Sequence, residues 1–394
     1  MTRVRDARWP GALEVLGEVR RTPGVTRAEA ARRLGLRSGS ATEIVARLRT
    51  MSLLDEEPAP VLGRGRPTTR LRPHPHGPLV AAVEVRYEDW RCAVAGLDGR
   101  PATVAVRRHG RGPRAGEQVV RQIAATLREL RREYGDRLRA VSLAVAGAVR
   151  DGRLAQAATL EWGAVDLAAI LPADRPDALP LLIGNDATLA GLAEARTGAG
   201  AGAGTVLHLT VEVGLGGVLV VGGVPVTGAS GAGGEYGHLP FGDRSVRCPC
   251  GARGCWDTEV DGRALARHLG LPAPEEPRAF AHDVLDRSTR EPAAARAVGR
   301  VAESLAAGIA GLVNAHDPAV VTLGGLAPRI ADAARPVFDD AYLSGLMDFR
   351  RAAPTPLRPA SLGADAALIG AAAAGLDAVL TEDGLSAWAA DRDG

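Results

Sequence analysis

The sequence of 394 residues predicts an α/β chain with a winged helix-turn-helix head and a larger, two-lobed α/β body. Three observations predict it. The first 76 residues read as short helices around a tight glycine turn. From residue 79, buried strands alternate with amphipathic helices in the manner of mixed sheets covered by helices. Charge changes sign at the same place: residues 1–77 hold fifteen arginines and eight carboxylates, and the remainder holds 33 and 38. A basic head on an acidic body points to a polyanionic partner; an arginine-rich but ordinary surface is the competing reading.

Bulk composition narrows the class. Hydrophobic residues make up 46% of the chain, and no run of eighteen apolar residues indicates a membrane span. The charged N-terminal stretch lacks the apolar core of a signal peptide, so a cytoplasmic location is expected. Structural disulfides are uncommon there, and clustered cysteines more often hold metal or do redox work. Every one of the 48 basic residues is arginine. With the abundant Ala, Gly and Pro, this reads as the mark of a GC-rich genome.

In the head, Leu13, Leu16 and Val19 (with Val15) fall on one helical face. Thr26 followed by Glu29 is a capping-box signature, and Gly35 ends that short helix. Ser38 or Ser40 is expected to cap a second helix with Ile44, Leu48 and Met51 on its buried side. This is helix-turn-helix spacing, although a helical hairpin used only for packing would share it. Read as DNA-binding, Arg37, Ser38, Ser40, Thr42 and Glu43 reach base edges and phosphates. Arg47 and Arg49 are placed for the DNA backbone. The following GRGRP reads as the tip of a wing, with Arg64 and Arg66 suited to a narrow minor groove; a solvated linker is the alternative. Pro73, Pro75 and Gly77 mark the passage to the body.

The body opens with the strand LVAAVEVR, then RCAVAGLD and TVAVRRH joined at Asp98-Gly99. An amphipathic helix over 114–134 and the strand RAVSLAVAGAV follow. LPLLIGNDATLAGLAEAR reads as a strand, a turn at Gly184-Asn185-Asp186 and a helix. TVLHLTVEVGLGGVLVVGG reads as a glycine-kinked hairpin. A long helix then turns at Asp317-Pro318 into another strand.

Three of the four cysteines lie within eight residues. His238, Cys248, Cys250 and Cys255 make a His-x9-Cys-x-Cys-x4-Cys set. Four soft or borderline donors with none left over fit a closed, structural Zn2+ site without room for a reacting water. A redox pair and unbound thiols are the alternatives. Cys92, far off in a strand, reads as a small buried hydrophobe.

These segments together resemble the ROK family (repressors, open reading frames and kinases), and in particular its transcription-factor branch. The likeness runs essentially end to end. It rests on the head with its GRP tip, GNDATLAGLAEA, GGEYGH, CPCGARGC, DPAVVTLGG and LGADAALIGAAAAG. The resemblance implies an actin-like (ribonuclease H-like) body with sugar and ATP between its lobes. It implies a DNA-binding domain over 1–76 and a ligand-binding domain over 77–394. Lobe one would span about 78–188 plus a C-terminal helix at about 364–380, and lobe two about 189–362. Asn185, Asp186, Glu235 and His238 would cradle the sugar, with Asp257 two residues past the third cysteine where the family has Glu. Asp186 matches the general base of the kinases; helix capping would also suit it.

Departures shape the functional expectation. Where the kinases carry a glycine-rich first loop, this chain has Glu84-Val85-Arg86-Tyr87-Glu88. The second loop keeps glycines in Val213-Gly214-Leu215-Gly216-Gly217, but where the resemblance implies a GTG-like start it reads Glu212-Val213-Gly214. Phosphate cradles need glycine for close approach of backbone amides. Thr159 stands where the family often has Asn. The sequence therefore leads to an expectation of no enzyme activity, with Asp186 a vestigial base. It predicts a ligand-responsive regulator, a repressor, binding operator DNA as a homodimer or homotetramer. The effector would be a sugar, a sugar phosphate or a non-sugar molecule. A sugar kinase with a DNA-binding head, and a constitutive regulator with a vestigial body, are the other readings.

Overall fold

The computed structural model describes residues 9–59, 69–112, 114–162, 165–171 and 179–393. The head comprises α1 (Pro10–Arg21), α2 (Arg27–Arg33), α3 (Ser38–Thr50) and an antiparallel hairpin of β1 (Leu54–Pro58) and β2 (Thr69–Pro73). Both halves of the capping box form: Glu29 N–H donates to Thr26 Oγ1 at 3.2 Å and Thr26 N–H to Glu29 Oε2 at 3.0 Å. Gly35 closes α2 at φ +66, a conformation glycine adopts without steric cost.

Neither expected serine caps α3. Arg37 occupies the N-cap without a side-chain bond, and the helix begins at Ser38. Ser38, Ser40 and Thr42 consequently sit on an exposed first turn, with Arg37 exposed beside them and Arg47 partly buried. Ala41, Val45 and Leu48 face the core, whereas Ile44 is only half-buried. Glu56 on β1 binds Arg49 at 3.1 Å and Arg27 at 3.2 Å, which ties both helices to the hairpin. Arg64 and Arg66, at the expected wing tip, lie outside the described residues.

The body runs β3 (Leu79–Val85), β4 (Asp89–Ala95), β5 (Pro101–Arg108), α4 (Ala115–Tyr134), β6 (Leu138–Val145), β7 (Ala148–Arg150), β8 (Arg153–Gln156), β9 (Leu181–Asn185) and α5 (Asp186–Thr197). It continues with β10 (Thr205–Glu212), β11 (Gly214–Val221), β12 (Val224–Pro225), α6 (Gly262–His268), α7 (Pro277–Arg287) and α8 (Pro292–His316). The last part holds β13 (Val320–Gly325), α9 (Ala327–Ala333), α10 (Arg335–Gly345), α11 (Asp348–Arg351), β14 (Leu357–Pro359), α12 (Ala366–Val379) and α13 (Glu382–Asp393).

Two five-stranded sheets result, ordered β5-β4-β3-β6-β9 and β12-β11-β10-β13-β14. In both, the first three strands of the chain form an antiparallel meander and the last two add in parallel to the first. The lobes exchange helices. α5 follows the first sheet but packs on β10 and β11 of the second, and α12 follows the second but packs on β3 and β6 of the first. A lobe boundary after residue 188 therefore falls inside α5. Where α5 and α12 meet, Gly370 lies so close to Leu189 that a Cβ would stand 1.9 Å from its carbonyl oxygen. No single described helix is long and apolar enough to cross a membrane.

Candidate ligand cleft and metal knot

Two adjoining cavities, of about 220 and 120 Å³, open between the sheets. Thr159, Asp186, Thr210 and Glu212 line both. Asp186 follows the carboxyl end of β9 and Glu212 ends β10, where open α/β sheets place their ligands.

The sequence left Asp186 between capping and chemistry, and the structure gives the cap to its neighbour. Asn185 is the N-cap of α5, its Oδ1 accepting from Thr188 N–H at 2.9 Å. Its Nδ2 donates to Gly147 O at 3.0 Å. Asn185 thus lines the smaller cavity with both amide atoms already bonded. Asp186 faces the cavities. Burial, reinforced by the charges of Glu84 and Glu212, pushes its carboxyl up to about 7, against the opposing bond from Ala187 N–H. A carboxylate at that value suits proton transfer near neutral pH.

The altered first loop does not leave its acid bare. Glu84 is buried and accepts from Arg91 Nε at 2.5 Å, and Arg91 Nη1 also reaches Asp365 at 2.5 Å. Glu212 pairs with Arg278 at 2.8 Å. Burial still raises both carboxyls above their usual range, against the pull of these arginines.

The second loop is held from behind. Leu215 N–H donates to Asp257 Oδ1 and Gly214 N–H to Asp261 Oδ2, each at 2.9 Å. Arg263 bridges both acids, 2.7 Å from Asp261 and 3.3 Å from Asp257. Asp257 therefore borders the cavity while its oxygens serve the loop and Arg263. The sequence reading cast it as a ligand contact and gave no role to Asp261 or Arg263. An Asp with Arg two residues on, just past the last cysteine, was the available signal.

The knot brings its four residues together. One donor atom from each of His238, Cys248, Cys250 and Cys255 lies within 4.8 Å of the other three, so the set could hold a metal ion. Cys250 Sγ and Cys255 Sγ are 3.7 Å apart, and Cys248 Sγ is 3.8 Å from His238 Nδ1. Gly251 and Gly254 adopt φ +101 and +73 in the tight return. The opposite nitrogen of His238, Nε2, lies 3.8 Å from Glu235 Oε2 on the cavity side, and burial raises the Glu235 carboxyl. From lobe one, Gln156 Nε2 donates to Cys250 O at 3.4 Å. Trp256, fully buried, donates to Ser304 O of α8 at 3.0 Å and anchors the knot to the second core. Cys92 is buried in β4, and burial pushes its thiol up to about 12, as befits an inert core residue.

Comparison with known proteins places this geometry. The ROK family model matches residues 80–377. Kanosamine kinase of Amycolatopsis mediterranei is 34% identical over 262 residues, 65% of this chain and 83% of that protein. A ROK hexokinase from Thermus thermophilus superposes with a TM-score of 0.60 at 31% identity, covering 76% of this chain and 99% of that one. A ROK family transcriptional regulator, a homologue of the E. coli MLC protein, superposes with a TM-score of 0.74 at 20% identity, covering 97% of this chain and 98% of that one.

The relatives correct one expectation. Two altered loops led to the inference that the chain is not an enzyme, yet the sequence and structural relatives include sugar kinases. The physical ground for the inference is also weaker than the residues implied. Glu84 and Glu212 are paired with arginines, and Asp186 faces both cavities with a carboxyl that burial pushes up to about 7. The actin-like, two-lobed body, its family motifs and the full-length superposition agree: this chain belongs to the ROK family.

Proposed function

We propose that the protein is a ligand-responsive, DNA-binding transcriptional regulator, a repressor, whose kinase-like body senses a sugar. The head, residues 1–76, reads operator DNA, and residues 77–394 bind the effector. One observation carries the reading: the ROK hexokinase covers 76% of this chain, whereas the regulator covers 97%. The surplus is the basic head. Its exposed turn of Arg37, Ser38, Ser40 and Thr42 presents donors for base edges and phosphates, with Arg47 beside them; Arg64 and Arg66, outside the described residues, are the further DNA contacts of this reading. Two-fold assembly would match paired half-sites.

The effector sits in the smaller cavity against Asp186, Glu235 and His238, with Asn185 and Asp257 shaping its wall through the bonds described above. Among the described residues no arginine lines that cavity, while Asp186, Glu212, Glu235 and Asp257 do. A phosphate would find no arginine and four carboxyl groups there, so a neutral or amino sugar is favoured over a sugar phosphate. The knot holds Zn2+ through His238, Cys248, Cys250 and Cys255. A tetrahedron with Zn–S bonds of about 2.3 Å has edges of about 3.8 Å, close to the donor separations above. When bound, the metal supplies a fixed crosslink and no reacting water, because all four positions are filled. Its protein ligand His238 then presents Nε2 beside Glu235 at the cavity wall.

Selection of genomic fragments, followed by affinity measurement at fixed salt with and without D-glucose and D-glucosamine, tests the reading. A fragment bound far more tightly than random DNA, with affinity altered by a sugar, is the expected result. Binding no tighter than to random DNA would sink it.

A second reading, a sugar kinase with a DNA-binding head, is favoured by Asp186, which stands where the two cavities meet with its carboxyl at about 7. Sugar-dependent ATP turnover that vanishes in Asp186→Asn would establish it, alone or beside DNA binding.

A further inference from the structure

We infer that Asp377 and Trp388 form the joint through which the ligand cleft addresses the DNA-binding head. The inference rests on the regulator reading and supplies the coupling element that the sequence did not show.

The path starts at the cleft. α5 begins with Asp186, on both cavities, and carries Arg196 near its other end. Arg196 Nη1 binds Asp377 Oδ2 on α12 at 2.6 Å. The other oxygen of that carboxylate, Oδ1, receives Arg20 Nη1 from α1 of the head at 3.2 Å. One carboxylate is thus shared by the cleft helix and the head. Arg196 Nε also donates to Gly223 O at 2.9 Å, beyond β11, so its position follows the second sheet.

α5 and α12 cannot shift independently by much. Gly370 meets the Leu189 backbone without room for a Cβ. Glu194 of α5, fully buried, accepts from Leu362 N–H at 2.8 Å, just before α12. Packed interfaces of this kind move between discrete arrangements instead of deforming smoothly.

The pivot lies next to this latch. α13 turns by 76° from α12 and presses Trp388 into the head. Trp388 is buried, and its Nε1 donates to Met51 O at the end of α3 at 2.8 Å. Arg392 and Arg139 stack on its ring, 3.9 and 4.9 Å from the centroid. A buried indole with its donor satisfied is a strong anchor. The Arg20–Asp377 pair, with 20% and 41% of its side chains exposed, is a weak one. A strong pivot beside a weak latch lets a small displacement reorient the head. Room exists for it: a groove of about 740 Å³ runs between head and body, with Arg20 and Arg72 on one side and Asp98 and Arg100 on the other. Movement of α5 on lobe closure redistributes Asp377 between its two guanidiniums. The head is then latched in one state of the cleft and released in the other.

Hydrogen exchange of the full chain tests the path without DNA or sugar, so its failure is distinct from failure of the regulator reading. Arg196→Ala touches nothing in the head, yet exchange in the α1 peptide should change on the order of threefold, the scale of coupling between charges sharing a partner. The same substitution in an Asp377→Asn background should have no effect on α1. An unchanged α1 in Arg196→Ala, or an equal change in both backgrounds, overturns the latch. Trp388→Phe keeps an aromatic ring and removes the N–H. It should separate the melting of the head from that of the body in calorimetry, and an unaltered melting profile overturns the pivot.

Discussion

The two sheets of the body have one strand order and opposite commitments. Each lobe places a fully buried tryptophan against its long helix, on a strand in lobe one and in a single 3-10 turn in lobe two. In lobe one, Trp90 on β4 donates to Gln122 of α4 at 2.8 Å; in lobe two, Trp256 donates to Ser304 of α8 at 3.0 Å. Trp90 only fills a core. Trp256 follows Cys255 directly, so the same kind of burial also fixes the metal knot and, through Asp257, the glycine loop at the cleft. Lobe one instead spends its outer surface on the head, through the helix α12 that it borrows from lobe two. Repetition of a scaffold fixes where a ligand can lie. What is added to each copy decides which half carries the cysteine knot and which half meets the head.

The largest expected effect breaks this pair apart. Trp90→Ala and Trp256→Ala should each cost about 3–5 kcal/mol, the usual range for emptying a core tryptophan site. Denaturant unfolding checks the cost, and metal analysis of the folded fraction checks the difference. Only Trp256→Ala should lower metal content. Equal metal in both variants would show that the knot does not depend on its anchor to α8.

A smaller effect concerns the seam between the lobes. Burial holds the proton on Asp186 up to about pH 7 in the folded protein, whereas an aspartate in the unfolded chain loses it at its ordinary value of 3.8. The folded state therefore binds more protons in that window, and this group's contribution to stability falls as pH rises from about 4 to 7. Asp186→Asn cannot ionise. Its melting temperature should gain on wild type across that window and hold a constant lead above it. A lead independent of pH from 4 to 8 would mean that Asp186 is not the titrating group.

The smallest effect contrasts the body with the head. Thr26→Ala removes one half of the capping box and should cost about 1 kcal/mol. If the joint at Trp388 makes head and body melt together, the loss appears as a shift of the shared transition. A shift confined to a separate head transition would show that the two parts melt independently.

Local features were legible because they depend on neighbours in sequence. The capping box, the left-handed Gly35, the 115–134 helix and the cysteine spacing all follow from backbone rules acting over a few residues. The cap on α3 was misread because two serines and Arg37 compete within one turn, and only the tertiary seat of Val45 and Leu48 fixes where the helix starts. Asp257 was read as a ligand contact because its spacing from Cys255 is visible. Its capture by Leu215 N–H and Arg263 depends on how a distant loop comes back.

By itself, then, the sequence determined the family, the alternating body, the His/Cys set of the knot and the carboxylates of the two loops. Those properties reside in residue type and short spacing. Only the tertiary structure decided that Asn185 takes the cap and frees Asp186, that arginines neutralise the loop carboxylates, and that Asp377 is shared between head and cleft helix. Each of these joins residues far apart in sequence; Arg20 and Asp377 alone are separated by 357 positions. No periodicity records such pairings. They follow from the exchange of α5 and α12 between the sheets, and packing alone sets that exchange.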